Sequence, residues 1–466
     1  MPREASEMHA DLVEIIGDAH RVNVGESARQ LHGVPYVGTY KGLGKGRLPD
    51  IVVFAATREE VSEVLAYANA RRIPVVAFGA GTSADGQVIP LHGGISLDLT
   101  GLDSLEIRPA DLQATVGAGV TRKALNRRAG EHGLMFPVDP GADATLGGMA
   151  ATNASGTTTV RYGAMRHNTL ELEVVLADGR IIRTGSRALK TSAGYNLMHL
   201  FIGCEGTLGV ITELTVRLYG IPEHVIAARA GFPDLDSACR CAVGLVGTGL
   251  AVTRIELVDR DTIAAINAYK GSSIAEQPHL FVELSGTQAS VEADARIARE
   301  IASVEGCERF DATSDHEEAA RLWEARHELL FAFENRYPGR AVKGSDACVP
   351  LSELPGAVRF AREAMTNAGL EPSILGHVGD GNYHAMAMID TNDPSDVARV
   401  EGVFDQIVAD AIARGGTCSG EHGIGIGKQK YLLQEHGDLI PLMRAVKAEL
   451  DPNGILNPGK IFAEQG

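Results

Sequence analysis

Apolar and polar positions alternate along the first part of the chain in a rhythm that predicts strands separated by helices. The run DIVVFAA at 50–56 is apolar for the length of one strand, and Thr57 then begins a polar, helical stretch that ends at Arg72. Glu60 follows Thr57 at the spacing of a capping box, which marks a helix N-terminus. A second apolar run at 73–78 completes a strand–helix–strand unit, which is typical of an α/β arrangement.

Later apolar runs predict a division of the chain near residue 222. Before it, strands are expected at 94–99, 113–116, 171–176, 181–184 and 210–218. After it, strands near 225–232, 252–258 and 279–285 alternate with helices near 234–247, 260–269 and 288–304. A longer helix is expected at 317–335. We therefore predict four parts: an N-terminal helix and lead (1–44), a first domain (45–222), a second domain (223–414) and a C-terminal segment (415–466).

Composition narrows the class of protein. A chain of 466 residues is too long for one compact core, so two or three domains are expected. The formal charge of -17 argues against a nucleic-acid partner, because neutralising phosphates requires a basic face. The same charge argues against general adhesion to an anionic membrane.

The N-terminal residues and the cysteines bear on location. The first 20 residues are acidic and have no apolar core, so they do not resemble a secretory signal, and no stretch has the ~20 apolar residues of a transmembrane helix. The six cysteines have no CxxC spacing and are expected to be buried thiols. These features predict a cytosolic protein.

The first glycine-rich segment directly follows a predicted strand and reads Gly79-Ala80-Gly81-Thr82-Ser83. Glycines allow the backbone to approach a ligand closely, and the N–H groups and hydroxyls can hold a pyrophosphate. Alone the segment is a weak signal, because glycines are common where strands turn. It lacks the third glycine and opening helix of a Rossmann fingerprint, and the Gly-Lys-Ser/Thr of a Walker loop.

Two further glycine-rich segments strengthen this signal. The second runs from Pro140 to Gly163 with almost no bulky side chains, and the third is GCEGTLGVI at 203–211, leading into a strand. Each segment alone is more simply explained as tight packing. Three in order, each at the edge of a strand or helix, instead indicate a narrow groove for a large planar cofactor and its phosphates.

A candidate metal site follows in SILGHVGDGNYHAMAMI at 373–389. Gly379-Asp380-Gly381-Asn382 predicts a hairpin turn that places His377 opposite His384, with Cβ atoms about 5 Å apart. An isolated pair of this kind is more often without a ligand. Glu421 and His422, in a glycine-flanked loop, add a carboxylate and a third imidazole, which suits a catalytic metal. Because adjacent residues in an extended stretch point in opposite directions, Glu421 and His422 are expected to have separate roles.

The order GAGTS, PGADATLGGMAATNASGTTTVRYG, Asp178-Gly179 and GCEGTLGVIT resembles the vanillyl-alcohol oxidase/p-cresol methylhydroxylase (PCMH-type) flavoproteins. With the C-terminal motifs it resembles the branch that contains cytochrome-type D-lactate dehydrogenases and the GlcD chain of glycolate oxidase. The resemblance implies an α+β fold, in which a two-subdomain FAD-binding domain (45–222) carries a ferredoxin-like α/β cap (223–414) over the flavin. The C-terminal segment would return to the FAD, and the active site would lie between the domains.

The resemblance also implies non-covalent FAD, because covalently flavinylated members have a histidine in the first glycine loop where this chain has Thr82-Ser83. The residues that it places at the cofactor are Gly79, Ala80, Gly81, Thr82, Ser83, Pro140, Asp143, Thr145, Gly147, Gly148, Asn153, Ser155, Gly156, Tyr162, Gly163, Glu205, Gly206, Val210, Ile211 and Asn457.

The resemblance assigns His377, His384 and Glu421 to Zn²⁺ or a similar divalent ion such as Mn²⁺, and His422 to the catalytic base. Arg326 lies on the apolar stripe of its predicted helix, where an unpaired charge is costly, so a structural pairing and a substrate role are both open from the residues alone. The resemblance favours a clamp on the substrate carboxylate. Lys343 is a weaker second cation.

The implied reaction is oxidation of a D-2-hydroxy acid to the 2-oxo acid, with hydride transfer to flavin N5. Relatives that oxidise D-2-hydroxyglutarate have polar residues where this chain has Leu330 and Met386, which favours a monocarboxylate, above all D-lactate. The alternatives are a component of a glycolate dehydrogenase, a D-2-hydroxyglutarate dehydrogenase, a metallohydrolase and a flavin electron-transfer protein without chemistry of its own. The expected acceptor is a cytochrome, a quinone or an electron-transferring flavoprotein. An acceptor at the inner membrane would make the protein peripheral to it, and a homo-oligomer stays open.

Overall fold

The structure, a computed structural model, describes residues 3–33, 48–327 and 329–463. The side chains of residues 3–5, 324–327, 329–330 and 334 also lie outside the description. Among the described residues, none of the helices is both long enough and apolar enough to cross a bilayer.

The described residues form helices and strands throughout the chain. The helices are α1 Arg3–Ile16, α2 Glu26–Leu31, α3 Arg58–Arg71, α4 Arg122–Gly130, α5 Leu146–Thr152, α6 Thr159–Tyr162, α7 Met165–Asn168, α8 Met198–Phe201, α9 Leu235–Gly247, α10 Arg260–Lys270, α11 Gln288–Val304, α12 His316–His327, α13 Leu329–Arg336, α14 Leu354–Asn367, α15 Pro394–Ala413, α16 Gln429–His436 and α17 Ile440–Leu450. The strands are β1 Val22–Asn23, β2 Ile51–Phe54, β3 Val75–Phe78, β4 Ile95–Asp98, β5 Leu105–Arg108, β6 Gln113–Gly117, β7 Leu134–Met135, β8 Thr169–Val175, β9 Ile181–Gly185, β10 Val210–Arg217, β11 Tyr219–Gly220, β12 His224–Gly231, β13 Val252–Val258, β14 His279–Gly286, β15 Arg309–Thr313, β16 Ala341–Gly344, β17 Ala347–Cys348, β18 Ser373–Gly376 and β19 Asn382–Ile389.

The chain divides into two compact units, which we describe separately. The first unit comprises Met1–Ser155, Ala164–Ile221 and Glu421–Gly466, and the second comprises Gly156–Gly163 and Pro222–Gly420. The chain therefore enters the second unit twice, and the C-terminal segment from Glu421 onward belongs to the first unit.

The first unit contains a four-stranded sheet of order β1-β2-β4-β3, in which β2 and β3 both run parallel to β4. The predicted strand–helix–strand unit is confirmed, because α3 connects β2 to β3. Thr57 caps α3 by accepting a hydrogen bond from the Glu60 N–H at 3.2 Å, as its sequence position indicated. The buried face of α3 carries Val61, Val64, Leu65 and Ala68 at helical spacing.

A five-stranded antiparallel sheet of order β5-β6-β10-β8-β9 forms the other part of the first unit. Its central strand, β10, pairs with both β6 and β8. Leu172, Val174, Leu214 and Val216 are buried in one core with Leu146 of α5. The predicted strands at 113–116, 171–176, 181–184 and 210–218 are confirmed, whereas β5 was missed because LEIR is too short and polar to stand out.

The second unit is built on an antiparallel sheet of order β15-β12-β14-β13-β18-β19-β16, with β17 also paired to β19. Its first four strands in chain order take the sheet order 4-1-3-2 with α9 and α11 as connections, which is the ferredoxin-like topology with α10 added. One face buries Phe281 and Leu375 against Ile263 of α10 and Trp323 of α12. The helix predicted at 317–335 is present as α12 and α13, on either side of residue 328, which lies outside the described residues.

Candidate flavin and metal-assisted active site

In the first unit, the first glycine loop follows β3 and lies against the segment that begins α5. A Cβ on Gly79 would come within 2.2 Å of Thr145 Oγ1, so only glycine allows this approach. Gly81 has φ +66°, which also favours glycine. The hydroxyl of Ser83 is buried and has no hydrogen-bond partner among the described residues. A buried hydroxyl of this kind fits a site in which a ligand group supplies the partner.

The second glycine segment places α5 directly against the end of β6. A Cβ on Gly147 would lie 2.5 Å from Ala118 Cβ, and the Gly147 N–H donates to the Ala118 carbonyl at 3.0 Å. Asn153 ends α5 in the left-handed region at φ +51°. Small residues are therefore needed here for packing as well as for any ligand.

The third glycine segment is joined to the C-terminal end of α5. The Glu205 N–H donates to the Ala151 carbonyl at 2.7 Å, and the Gly203 N–H donates to the Ala150 carbonyl at 2.9 Å. The side chain of Asn457 donates to the Glu205 carbonyl at 2.7 Å, which connects this segment to the C-terminal region.

The first unit thus brings together most of the predicted cofactor residues. Val210 and Ile211, which follow the third segment, are buried at the start of β10. Gly156, Tyr162 and Gly163 belong to the second unit. A groove of glycines, hydroxyls and backbone groups fits a flavin nucleotide, with its phosphates against N–H groups.

The metal hairpin of the second unit differs in register from the prediction. His384 of β19 pairs with Leu375 of β18, so the predicted pairing with His377 is wrong by two residues. The turn is longer than expected because Gly381 takes φ +87° and a Cβ there would lie 2.1 Å from the Val349 carbonyl. A shift of two keeps the same face. The rings of His377 and His384 therefore still lie close, with centroids 5.7 Å apart.

Each histidine of this pair is oriented by an acceptor on Nδ1. His377 Nδ1 lies 2.6 Å from the buried Glu256 Oε1, and His384 Nδ1 lies 3.0 Å from the Ser345 carbonyl. Because a carboxylate and a carbonyl both accept, Nδ1 carries the proton and Nε2 carries the lone pair that a metal requires. Metal-binding histidines in proteins are typically oriented in this way.

Asp346, which sequence reasoning missed, lies beside His384. The two residues offer ligand atoms within 4.8 Å of each other, and Asp346 is buried. Its carboxylate accepts from Asn382 Nδ2 and from Ser419 Oγ, each at 2.9 Å. It therefore connects the hairpin to the residues just before Glu421. Its sequence signal, a lone aspartate two residues after β16, was too weak to find it.

Glu421 and His422 lie in the first unit. Glu421 Oε1 is 3.7 Å from His422 Nε2, so the expectation that the two side chains point in opposite directions is wrong. The segment is bent rather than extended, which removes the strand alternation. Ser155 Oγ donates to Glu421 Oε2 at 3.2 Å, and Gln87 Nε2 donates to the His422 carbonyl at 2.7 Å.

The predicted substrate residues are placed unevenly. The side chains of Arg326, in α12, and of Leu330, in α13, lie outside the described residues. Lys343 pairs with Ala387 across β16 and β19 and contacts Glu401 of α15 at 3.4 Å. Strand alternation puts it on the sheet face opposite to His384 and Met386.

Met386 lines a cavity of about 120 Å³ in the second unit. Apolar side chains form much of its wall, and two arginines and a glutamate also line it. The lining residues are Phe333, Tyr337, Arg340, Gly369, Leu370, Glu371, Met386, Ala387, Met388 and Arg399. Arg340 and Arg399 both pair with the buried Asp396.

Family models match both parts of the chain. Residues 49–185 match an FAD binding domain, and residues 221–461 match the C-terminal domain of FAD linked oxidases. The chain belongs to the FAD-linked oxidase family.

Relatives within the FAD-linked oxidases are similar along almost the whole chain. "Probable D-lactate dehydrogenase, mitochondrial" of Danio rerio is 43% identical over 95% of this chain and 89% of its own length. "D-lactate dehydrogenase (cytochrome), mitochondrial" of Arabidopsis thaliana is 38% identical over 93% of this chain and 76% of its own. "Glycolate oxidase subunit GlcD" of Bacillus subtilis is 35% identical over 90% of each chain.

Solved structures of other flavoproteins share the fold. p-Cresol methylhydroxylase with substrate bound has a TM-score of 0.82 at 19% identity, covering 100% of this chain and 98% of its own. Alkyldihydroxyacetonephosphate synthase has a TM-score of 0.75 at 18% identity, covering 97% and 84%. The predicted α+β, PCMH-type fold is confirmed.

The family match also confirms two of the functional expectations and contradicts a third. The chain is an FAD-linked dehydrogenase, as its glycine segments and C-terminal motifs indicated. The expected cytosolic location is contradicted, because relatives in this family that span nearly the whole chain are named as mitochondrial proteins. Net charge and cysteine spacing do not distinguish these compartments.

Proposed function

We propose that this FAD-linked dehydrogenase oxidises D-lactate to the 2-oxo acid with the help of a divalent metal. Names of relatives that span nine-tenths of the chain support the substrate. The observation that carries the metal assignment is the histidine pair of the second unit, in which His377 and His384 each have an acceptor on Nδ1. That arrangement presents two Nε2 lone pairs from rings 5.7 Å apart.

The proposed metal ligands are His377, His384 and Glu421, and Asp346 is an additional candidate. Two imidazoles and one or two carboxylates suit Zn²⁺ or Mn²⁺ and leave coordination positions for a substrate. A divalent ion bound there would polarise the 2-hydroxyl group of the substrate and lower its pKa. Glu256 and the Ser345 carbonyl hold the two rings in the required tautomer.

His422 is the proposed base that takes the proton of the 2-hydroxyl group. A neutral imidazole is suited to accept a proton at neutral pH. Bound FAD would accept the C2 hydride at N5 and pass the electrons to a cytochrome, a quinone or an electron-transferring flavoprotein. Arg326 is the proposed clamp on the substrate carboxylate, because a guanidinium can bind both oxygens. Lys343 faces α15, so we do not include it.

The cavity beside Met386 bears on the substrate. Met386 lies on the same face of β19 as His384, two residues along, and an apolar side chain there suits the methyl group of D-lactate better than a second carboxylate. A second candidate substrate, D-2-hydroxyglutarate, is favoured by Arg340 and Arg399, which line the same cavity and could bind a distal carboxylate.

A flavin-reduction screen of the purified holoenzyme tests the proposal. The enzyme is mixed anaerobically with D-lactate, L-lactate, glycolate or D-2-hydroxyglutarate, and the loss of oxidised flavin absorbance is followed. We expect D-lactate to give the highest kcat/KM and L-lactate to give almost no reduction. Faster reduction by D-2-hydroxyglutarate or glycolate would reject D-lactate, and a purified protein without flavin would reject the whole proposal in favour of a metallohydrolase.

A further inference from the structure

The carboxylate of Glu205 is directed at the backbone of the C-terminal segment. Within the first unit, Glu205 Oε1 accepts the Ile424 N–H at 2.6 Å and Oε2 accepts the Gly425 N–H at 2.8 Å. The residue is buried and has φ +53°, an unusual conformation for a non-glycine residue. Both carboxylate oxygens therefore bind neighbouring peptide groups of one short segment, two and three residues after His422.

A second side chain holds the same segment on its other side. Gln87 Nε2 donates to the His422 carbonyl at 2.7 Å, and its Oε1 accepts the Asp85 N–H at 3.1 Å. The Asp85 carbonyl in turn accepts the Ile426 N–H at 2.8 Å. The backbone from residue 422 to residue 426 is thus held at four points by groups from other parts of the first unit.

Glycines make this close approach possible. A Cβ on Gly423, at φ +79°, would lie 2.6 Å from Glu205 Oε1 and 2.9 Å from Gln87 Nε2. A Cβ on Gly425 would lie 2.1 Å from the Asp85 carbonyl. The glycines around His422 therefore let Glu205, Gln87 and Asp85 contact the backbone.

We infer that Glu205 is a positioning residue that fixes the backbone carrying His422 and Glu421, rather than a side chain that contacts the cofactor. This inference rests on the role proposed for His422. A carboxylate is required because it offers two acceptors at the spacing of two successive N–H groups. An amide in its place would direct its NH₂ group at one of those N–H groups and push the segment away.

Catalysis depends on such positioning because a displacement of about 1 Å at a reacting group can cost roughly 100-fold in rate. The expected signature of Glu205→Gln is therefore a kcat for D-lactate lowered at least tenfold, with bound FAD retained. Hydrogen–deuterium exchange at the amides of Ile424 and Gly425 should also become faster, because each loses part of its acceptor.

Glu173→Gln is the matched control. Glu173 is a buried carboxylate of the first unit that accepts from Arg58 at 2.7 Å, Arg183 at 2.8 Å and Thr212 at 3.1 Å. The same substitution there removes a buried negative charge from β8. It should lower thermal stability but leave kcat within about twofold of wild type and exchange at residues 424 and 425 unchanged.

The test compares holoenzymes of wild type, Glu205→Gln and Glu173→Gln. Unchanged kcat and exchange in Glu205→Gln would overturn the inference, as would loss of FAD with unchanged exchange. If Glu205→Gln does not fold, Glu205→Asp gives the same comparison with the charge kept and the reach shortened, and wild-type kcat and exchange in it would equally overturn the inference. If wild type itself fails to turn over D-lactate, the proposed function is wrong, whereas the exchange at residues 424 and 425 still decides the role of Glu205.

Discussion

Glu256 and His377 form a short contact inside the second unit, with Glu256 Oε1 2.6 Å from His377 Nδ1. Glu256 lies on β13 and is fully buried, so its charge is compensated by its partners rather than by water. A buried carboxylate against Nδ1 raises the basicity of Nε2 and holds the ring orientation, which is a common arrangement behind a metal-binding histidine.

We therefore expect Glu256→Gln to weaken metal binding by roughly 10- to 100-fold. Glutamine can still accept from Nδ1, so the ring stays oriented but its nitrogen becomes less basic. A competition titration with a chelator measures the affinity. Glu283→Gln, which neutralises a carboxylate paired with Arg254 on the neighbouring strand β14, is the control. Equal metal affinities in the two variants would remove Glu256 from the account.

Met386→Asn should shift substrate preference toward a dicarboxylate. The amide adds a hydrogen-bond donor to the cavity beside His384 and removes an apolar contact for a methyl group. We expect the ratio of kcat/KM for D-2-hydroxyglutarate to that for D-lactate to rise at least tenfold, equivalent to ~1.4 kcal/mol. Met388→Asn places the same group two residues farther along β19 and should change the ratio less. A fall in the ratio for Met386→Asn would show that this cavity does not receive the substrate.

His422→Asn should abolish turnover without releasing the flavin. Asparagine cannot take up the hydroxyl proton, so the rate of flavin reduction should fall by roughly 100- to 10,000-fold. FAD content is measured by absorbance, and His436→Asn on α16 is a control with the same chemical change. Near-wild-type reduction by His422→Asn would mean that another group is the base.

Stability should depend on the pH through Glu205. Burial raises the pKa of this carboxyl to about 7, while the N–H groups of Ile424 and Gly425 act in the opposite direction. A pKa raised in the folded state means that folding favours the protonated form, so this stabilisation is present below about pH 4.5 and is lost as the pH rises through about 7.

The difference amounts to about 3 kcal/mol on the scale of one pKa unit per 1.36 kcal/mol. The midpoint temperature of the holoenzyme should therefore fall more steeply between pH 5 and pH 7.5 in wild type than in Glu205→Gln, as followed by circular dichroism. Parallel pH profiles in the two proteins would exclude Glu205 as the titrating group.

Local signals in the sequence predicted local structure well. The cap at Thr57 and the strand–helix–strand unit around α3 depend on neighbouring residues only, and both are confirmed. The three glycine segments indicated close backbone approach, which Gly79 and Gly147 show directly.

Features that depend on distant contacts were predicted less well. The hairpin register was wrong because the turn length depends on how Gly381 packs against Val349, a residue more than thirty positions earlier. Asp346 was missed because nothing near it in the sequence reveals that Asn382 and Ser419 converge on its carboxylate. The direction of Glu421 relative to His422 depended on a bend that no residue pattern announced.

Anaerobic flavin reduction by D-lactate, before and after removal of the metal, tests the central claim most directly. The holoenzyme is treated with a chelator, checked for retained FAD, and then supplied with Zn²⁺ or Mn²⁺. We predict that the chelated protein keeps its flavin, reduces it at least 100-fold more slowly, and recovers when the metal is returned, because a metal-polarised hydroxyl is the form that His422 can deprotonate. Reduction at the original rate by protein free of metal would contradict the account.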